Sequence, residues 1–355
     1  MASESSQIEM SAKKVVEPYF GISSKRVAVD LIFFAIISWG AYFICVTANS
    51  VPVQVVTFFL GLIYTYKGLA MNHEVSHFYR ELKWFEPAYN LLFGFFHRVP
   101  AYTLKTHRYH HSIRDFSYDS DPEYETWTEK PSWTLLRPFF LSFLYPLFLT
   151  LRFGVLPLAY FLVSNDSLMK LYEKYSTFVM NLDYKRPYVE KEFEAMKRQD
   201  LWCVAVLIAS IVFGLYSGYA AAMFSVWYGQ IVVISIMNTY RALVAHRYQV
   251  ANRRYAGIEA QLADSVNIEG GFFTSVWAPI GLNYHGLHHY FQKIPYYNLK
   301  KAHVALKEHL PSHHVYFDTI EPSFLSAFSK LYRSCADKKV AGRNVTDKAT
   351  YEALP

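Results

Sequence analysis

Leu31-Ile-Phe-Phe-Ala-Ile-Ile-Ser-Trp-Gly-Ala-Tyr-Phe-Ile-Cys-Val-Thr-Ala-Asn-Ser-Val-Pro-Val-Gln-Val-Val-Thr-Phe-Phe-Leu-Gly-Leu-Ile-Tyr-Thr-Tyr66 contains no charged residue. As one helix these 36 residues would run about 54 Å, against a hydrocarbon core of about 30 Å. The stretch must therefore fold back on itself. Thr47-Ala-Asn-Ser-Val-Pro52 supplies the turn, which leaves spans near 27–46 and 53–70. Leu201 to Tyr240 repeats the pattern with 40 uncharged residues and a bend at Tyr216-Ser217-Gly218, giving spans near 201–216 and 219–239. A soluble core helix seldom reaches such length without a polar face. The fold expected is an all-α integral membrane protein with four transmembrane helices in two hairpins.

The rest of the chain agrees with that class. Of 355 residues, 52% are hydrophobic and 18% charged, where a soluble domain averages about 25% charged. Disorder is excluded by the abundance of apolar residues, and the three scattered cysteines exclude a disulfide framework or a thiolate metal site. Phe139 to Leu151 and Phe153 to Asn165 are separated by Arg152 and carry Pro146 and Pro157, so each half is too short to span. An interfacial or re-entrant segment over 139–165 is expected. Leu171 to Asp200 reads as a solvated helix or linker.

The hairpin loops carry no Lys or Arg, whereas Lys13, Lys14, Lys25 and Arg26 precede the first span and many basic residues follow the second. A polar tail (1–25), a membrane domain (26–310) and a second tail (311–355) follow, with both tails and the segment between the hairpins in the cytosol. No cleavable leader is evident in the polar N-terminal stretch. A bacterial inner membrane or the endoplasmic reticulum would suit such a chain, and no nucleic-acid partner is expected.

Fourteen histidines carry the chemistry. His73-Glu-Val-Ser-His77 stands at the end of the second span, where spacing of four places both imidazoles on one helix face. His107-Arg-Tyr-His110-His111 and His285-Gly-Leu-His288-His289 share an i, i+3, i+4 pattern, in which the first and last members align and the middle one points aside. His246 follows the fourth span. These nine imidazoles exceed one metal's coordination shell, so two ions are the economical reading, and imidazole suits Fe, Cu, Ni or Zn. The remaining histidines read as ordinary polar side chains. His97 and His303 are isolated, and Pro311 separates His309 from His313 and His314.

His73-Glu74-x-x-His77 also satisfies the zinc metallopeptidase pattern. That chemistry needs a third ligand, and no acidic residue lies between Leu201 and Tyr240. It also leaves both HxxHH groups unexplained, so Glu74 is read as supporting a ligand rather than as a general base. A metal transporter is disfavoured because the uncharged hairpins mark no path across the bilayer.

The three boxes HxxxH, HxxHH and HxxHH behind membrane hairpins resemble the integral-membrane fatty acid desaturase and hydroxylase superfamily. Asn283-Tyr-His-Gly-Leu-His-His-Tyr-Phe291 and Ile294-Pro-Tyr-Tyr-Asn-Leu299 are similar to its third box and following segment, and the likeness runs from about 31 to 310. It implies two iron ions, with O2 as co-substrate, held under a cytosolic helical cap by His73, His77, His107, His110, His111, His285, His288 and His289, with His246 resembling the family's extra histidine. It also implies a fatty acyl lipid or acyl thioester as substrate and a separate electron donor, a cytochrome b5, ferredoxin or similar protein, since no such domain is fused. Two departures bear on substrate. Ala242 stands where animal acyl-CoA desaturases carry asparagine, and Gln292 where many relatives carry proline.

The chemistry can be reached independently. Attack on an unactivated C–H bond requires a redox metal and oxygen, which zinc cannot supply. Loss of a second hydrogen gives a double bond and oxygen rebound gives an alcohol; desaturation is expected from the Asn283 to Leu299 phrase, with hydroxylation as the alternative. Asp119, Asp121 and Asp264 are candidate acceptors for ligand imidazoles. Arg98, Lys105, Arg108 and Arg247 are candidate contacts for an anionic head.

Overall fold

The computed structural model describes residues 11–249 and 257–341, apart from the side chains of Glu74 and of residues 336–341. The described chain is mostly helical. Ser23 opens the first long helix by accepting a hydrogen bond from the Arg26 N–H, and α1 (Ser24–Thr47) then turns directly into α2 (Val51–Val75), whose start carries Pro52. The hairpin is closed by small and aromatic contacts, including Ser38 Oγ to Thr65 Oγ1 at 2.6 Å. After α3 (Arg137–Leu149), α4 (Glu190–Ser217) and α5 (Ala220–Leu243) form the second hairpin. Gly218, at φ 76°, makes the left-handed turn between them at no Cβ cost. Tyr42 of α1 donates to the Met223 carbonyl of α5 at 2.8 Å, tying the hairpins together.

The outward faces are apolar. Ile36, Val56, Phe59, Val212 and Phe213 are all more than half exposed, the surface expected where lipid rather than water is the solvent. Each helix continues past its apolar stretch on one side: α2 extends to Val75, α4 begins at Glu190 and α5 reaches Leu243. Hydropathy marks the part of a helix that meets hydrocarbon, whereas the backbone keeps its helical bonds into the polar layer. Residues 190–200, read from sequence as the end of a linker, are therefore the first turns of α4.

Among the described residues five helices are long and apolar enough to cross a membrane, one more than the four expected. The fifth is the run Ser132–Phe161, which the sequence divides at Arg152 and the structure does not. A π-helical segment, Thr150–Val155, absorbs the break that follows Pro146. Arg152 is buried rather than facing lipid, paired with Asp200 at 2.8 Å and bonded to Tyr160 and the Tyr175 carbonyl. The run lies first along α5, where Tyr240 and Tyr228 donate to the Leu135 and Phe143 carbonyls, and then along α4, where Tyr160 meets Asp200. The chain after it comes back to the cap, with Asn181 Nδ2 bonded to the Asp121 carbonyl at 3.1 Å.

The two tails are only partly tails. Ala12 and Val16 are buried in a cluster with Leu262, Leu287, Leu299 and Leu306. Beyond residue 310, a short strand (Ile320–Glu321) pairs in parallel with Asn267–Ile268, and the final helix inserts Leu331 and Cys335 beside Trp127 and Leu243. Apolar residues in both stretches are outnumbered by polar ones, which is why composition alone assigns them to solvent. Residues 1–10 and 342–355 lie outside the described residues.

Candidate metal centre

All three boxes stand at one end of the long helices. The first closes α2, with His73 in its last turn and His77 in the following 3₁₀ turn. The second is the one-turn helix His107–His110 with His111 as its cap, and the third is the helix His285–Tyr290. Asn267 fixes the third box: its Oδ1 accepts from the Leu287 N–H at 2.8 Å and its Nδ2 donates to Thr319 at 2.7 Å. Gly286 allows that approach, since a Cβ there would lie 2.8 Å from Asn267 Nδ2.

The nine histidines converge and separate into two groups. His77, His107, His111 and His288 form one, and His110, His246, His285 and His289 the other, each with its ligand atoms within 4.8 Å of one another. The groups touch where the His111 and His289 rings lie 4.1 Å apart. His73 adjoins the first group, its ring 3.9 Å from that of His107, and with His107 and Glu123 makes a third possible donor set. The i, i+4 pair of each HxxHH box goes to one group and the i+3 member to the other. His107 and His111 enter the first with His288, while His285 and His289 enter the second with His110.

The second group is a closed ring of Nε2 atoms. His110 to His246 is 3.0 Å, His246 to His285 is 2.9 Å, His285 to His289 is 3.0 Å and His289 to His110 is 3.2 Å. In the first group His111 Nε2 lies 2.8 Å from His107 Nε2. The outward nitrogens decide what these contacts are. His110 Nδ1 meets both oxygens of Asp121 at 3.0 and 2.9 Å, His107 Nδ1 meets Glu123 at 2.6 Å, and His289 Nδ1 meets the Gln261 carbonyl oxygen at 3.3 Å. Carboxylate and amide oxygens only accept, so these three Nδ1 atoms carry the protons and their Nε2 atoms point lone pairs inward. Lone pairs 3.2 Å apart, as between His110 and His289, repel unless a cation lies between them. Cis ligands on one ion at about 2.1 Å would stand about 3.0 Å apart, which matches the ring. The residues present therefore fit two metal ions held by neutral imidazole.

Burial supports the same protonation. His107, His111, His285 and His289 are pushed well below the usual histidine range, first by desolvation and then by neighbouring imidazoles. His246 is lowered by burial despite Asp264, whose Oδ2 is 3.6 Å from its Nδ1. For His110 burial acts downward, but Asp121 outweighs it and the net direction is up.

Of the acidic candidates, Asp121 and Asp264 face ligand imidazoles, whereas Asp119 is exposed and its carboxylate takes no part. Glu123 and Gln261 serve as acceptors that the sequence did not single out. Alternation in Asp121-Pro-Glu123 is the available signal, since two carboxylates two residues apart can reach two imidazoles three apart. The side chain of Glu74 lies outside the described residues. His77 sits with three histidines of the other boxes, a donor set unlike the peptidase pattern. Among the basic candidates, Arg98 is away from the histidines, buried over the Trp227 ring at 4.2 Å, and Arg247 bonds the Asp318 carbonyl and Glu321. His303 is satisfied by Tyr316 and Glu269, and His314 caps the turn at Tyr316.

The family model described as fatty acid desaturase matches residues 49–321. A ceramide hydroxylase of Caulobacter vibrioides is 30% identical over 327 residues, covering 89% of this chain and 90% of that protein. No solved structure matches. With all three boxes inside the matched region and the histidines drawn into two adjoining groups, the chain belongs to the fatty acid desaturase family, within the membrane desaturase and hydroxylase superfamily, and is an enzyme of that family.

Proposed function

We propose that the chain is an oxygen-dependent hydroxylase of a ceramide-type membrane lipid, with two iron ions held by His77, His107, His111 and His288 on one side and by His110, His246, His285 and His289 on the other, and with His73 and Glu123 completing the first. The observation that carries the reading is the pair of adjoining four-imidazole groups. Zinc would fit the nitrogens but has no redox chemistry, and oxidation of an alkyl chain requires it. Iron so bound supplies the activation of O2 and the removal of hydrogen from an unactivated C–H bond. The full-length similarity to a ceramide hydroxylase favours oxygen insertion and a lipid amide as substrate. Desaturation of a fatty acyl chain, as lipid or thioester, is the second reading, favoured by the Asn283 to Leu299 phrase.

The chain's own residues prepare the site. Asp121, Glu123 and Gln261 keep the protons of His110, His107 and His289 on Nδ1, which fixes each ring's rotation and leaves Nε2 free to bind. Burial of eight of the nine histidines, His77 being half-buried, keeps bulk water from the reacting volume. Electrons come from a separate donor of cytochrome b5 or ferredoxin type. Four spans, with 139–165 not crossing, are supported by the meeting of His110 and His246, because an even number of crossings must separate two residues on one side. The cap then faces the cytosol, as the basic flanks suggest.

Mass spectrometry of lipids from a host expressing the chain tests this. Hydroxylation adds sixteen daltons to a ceramide and carries label from 18O2. A two-dalton loss without label establishes the desaturase reading instead. No change in any lipid, with iron bound, would refute both.

A further inference from the structure

Behind the first two boxes, away from the histidines, a cavity of about 340 Å³ lies between the end of α2, the turn after it and the start of α4. Its floor is apolar, formed by Val75, Phe85 and Leu104 among others. Three cations and two carboxylates line its mouth, and nearly all of this charge is already spoken for. Lys105 Nζ lies 2.9 Å from Glu86 Oε2, whose other oxygen accepts from Gln199 at 2.6 Å. Arg108 lies 3.0 Å from Glu192 Oε1, whose other oxygen takes the buried Arg186 at 2.9 Å. Glu192 is held low, against the effect of its burial, by Arg186 and then Arg108. Lys83 alone has no carboxylate partner among the described residues. The uncharged hydrogen-bonding groups of the lining are the Asn72 amide, which donates to the Ala101 carbonyl, the Ser76 hydroxyl, which donates to the His73 carbonyl, and the Tyr79 hydroxyl, which accepts from Arg80; the Asn72 oxygen, the Ser76 lone pairs and the Tyr79 proton remain for a ligand. Asn72 and Ser76 directly precede His73 and His77 in the chain, so the cavity shares its wall with the first box.

We propose that this cavity is a headgroup site for an uncharged lipid bearing amide and hydroxyl groups, and that the ion pairs at its mouth disfavour phosphate-bearing acyl carriers. A thioester carrier presents several anionic phosphates and needs uncommitted cations, ideally guanidinium forks. Here Lys105 and Arg108 could serve it only by leaving Glu86 and Glu192, which would keep Gln199 and Arg186 as partners but would set two carboxylates against the incoming phosphates. An amide and two hydroxyls need no such exchange. The volume falls in the range of small-ligand pockets, roughly 300–1,000 Å³. This assignment rests on the lipid-oxidising reading above and narrows it to the form in which the substrate arrives.

Binding decides it without turnover, so failure of the proposed activity and failure of this site are distinguishable. Full-length protein in nanodiscs, with its metal content measured, is titrated with a short-chain ceramide and with palmitoyl-CoA. Wild type should prefer the ceramide by about tenfold or more. Glu86→Gln keeps an acceptor for Gln199 while releasing Lys105, and should strengthen palmitoyl-CoA binding several-fold in a salt-sensitive manner. Tyr79→Phe, at an exposed position, should weaken the ceramide several-fold, and Leu104→Trp should do the same by filling the floor. Equal or tighter binding of palmitoyl-CoA by wild type overturns the proposal. So does ceramide binding unmoved by Tyr79→Phe and Leu104→Trp in protein that retains its metal. A host lipid analysis showing no oxidation at all would bear on the activity and leave this comparison standing.

Discussion

Replacing Asp121 with asparagine should strip metal from one group of histidines and spare the other. The carboxylate is fully buried and makes four contacts: both oxygens meet His110 Nδ1, Oδ2 accepts from the Ser117 N–H at 2.9 Å and Oδ1 from the Glu123 N–H at 2.9 Å. Asparagine is nearly the same size but has one acceptor oxygen. However it turns, its NH2 faces one of those two backbone N–H groups, which loses this acceptor at a cost of about 1–3 kcal/mol. His110 also loses the charge that holds its proton on Nδ1. Removing such a support costs a ligand about 10–100-fold in metal affinity, equivalent to about 1.4–2.7 kcal/mol. Protein prepared anaerobically and titrated with a competing chelator should hold about two irons per chain in wild type, with one released about 10–100-fold more readily in Asp121→Asn. Asp119→Asn, at an exposed carboxylate, should behave as wild type. Unchanged retention of both irons in Asp121→Asn would refute the assignment of His110 to a metal group.

Glu123→Gln should weaken the first group in the same manner through His107, and its iron should be the one lost, as read by the complementary effect of combining it with Asp121→Asn. Arg152→Met leaves Asp200 buried without its cation, which costs about 3–5 kcal/mol; thermal denaturation in detergent should show a large fall in midpoint, partly recovered in Arg152→Met, Asp200→Leu. Single cysteines at Glu190 and Ser217 in a cysteine-free chain should label from opposite sides of the membrane, Ser217 from outside; external labelling at Glu190 would refute the even-crossing topology.

Much of this architecture is legible in the chain because two of its signals are unusually strong. Charge-free runs at 31–66 and 201–240 leave hairpins as the only compact solution, and the repeated i, i+3, i+4 spacing anticipates that the i+3 histidine departs from its neighbours. What the spacing cannot convey is where His110 and His288 go, since their destination depends on how two short helices face each other. Arg152 misleads for a related reason. A lone charge in an apolar run reads as an interruption until its partner, Asp200, is found 48 residues away. The supports at Glu123 and Gln261 are obscure because an acidic or amide residue in a loop or short helix has many ordinary uses. Ala12 and Val16, and Ala327, Leu331 and Cys335, stand at i, i+4 spacing and form the stripes that join the cap, a signal that the polar composition of the two tails conceals.

The exchange of i+3 histidines between boxes has a mechanical consequence. Each HxxHH turn has prongs in two sockets, so a movement of the turn as a whole shifts both. An ion seated in the second group through His285, His289 and His110 would fix the rotation and separation of both turns, and so would place His107, His111 and His288 for the first. Loading of two ions would then be favoured in sequence, since the second would arrive at a socket already ordered. Removing a whole turn would take at least one prong from each socket, whereas a change behind a single prong, as in Asp121→Asn, bears mainly on the socket that prong enters.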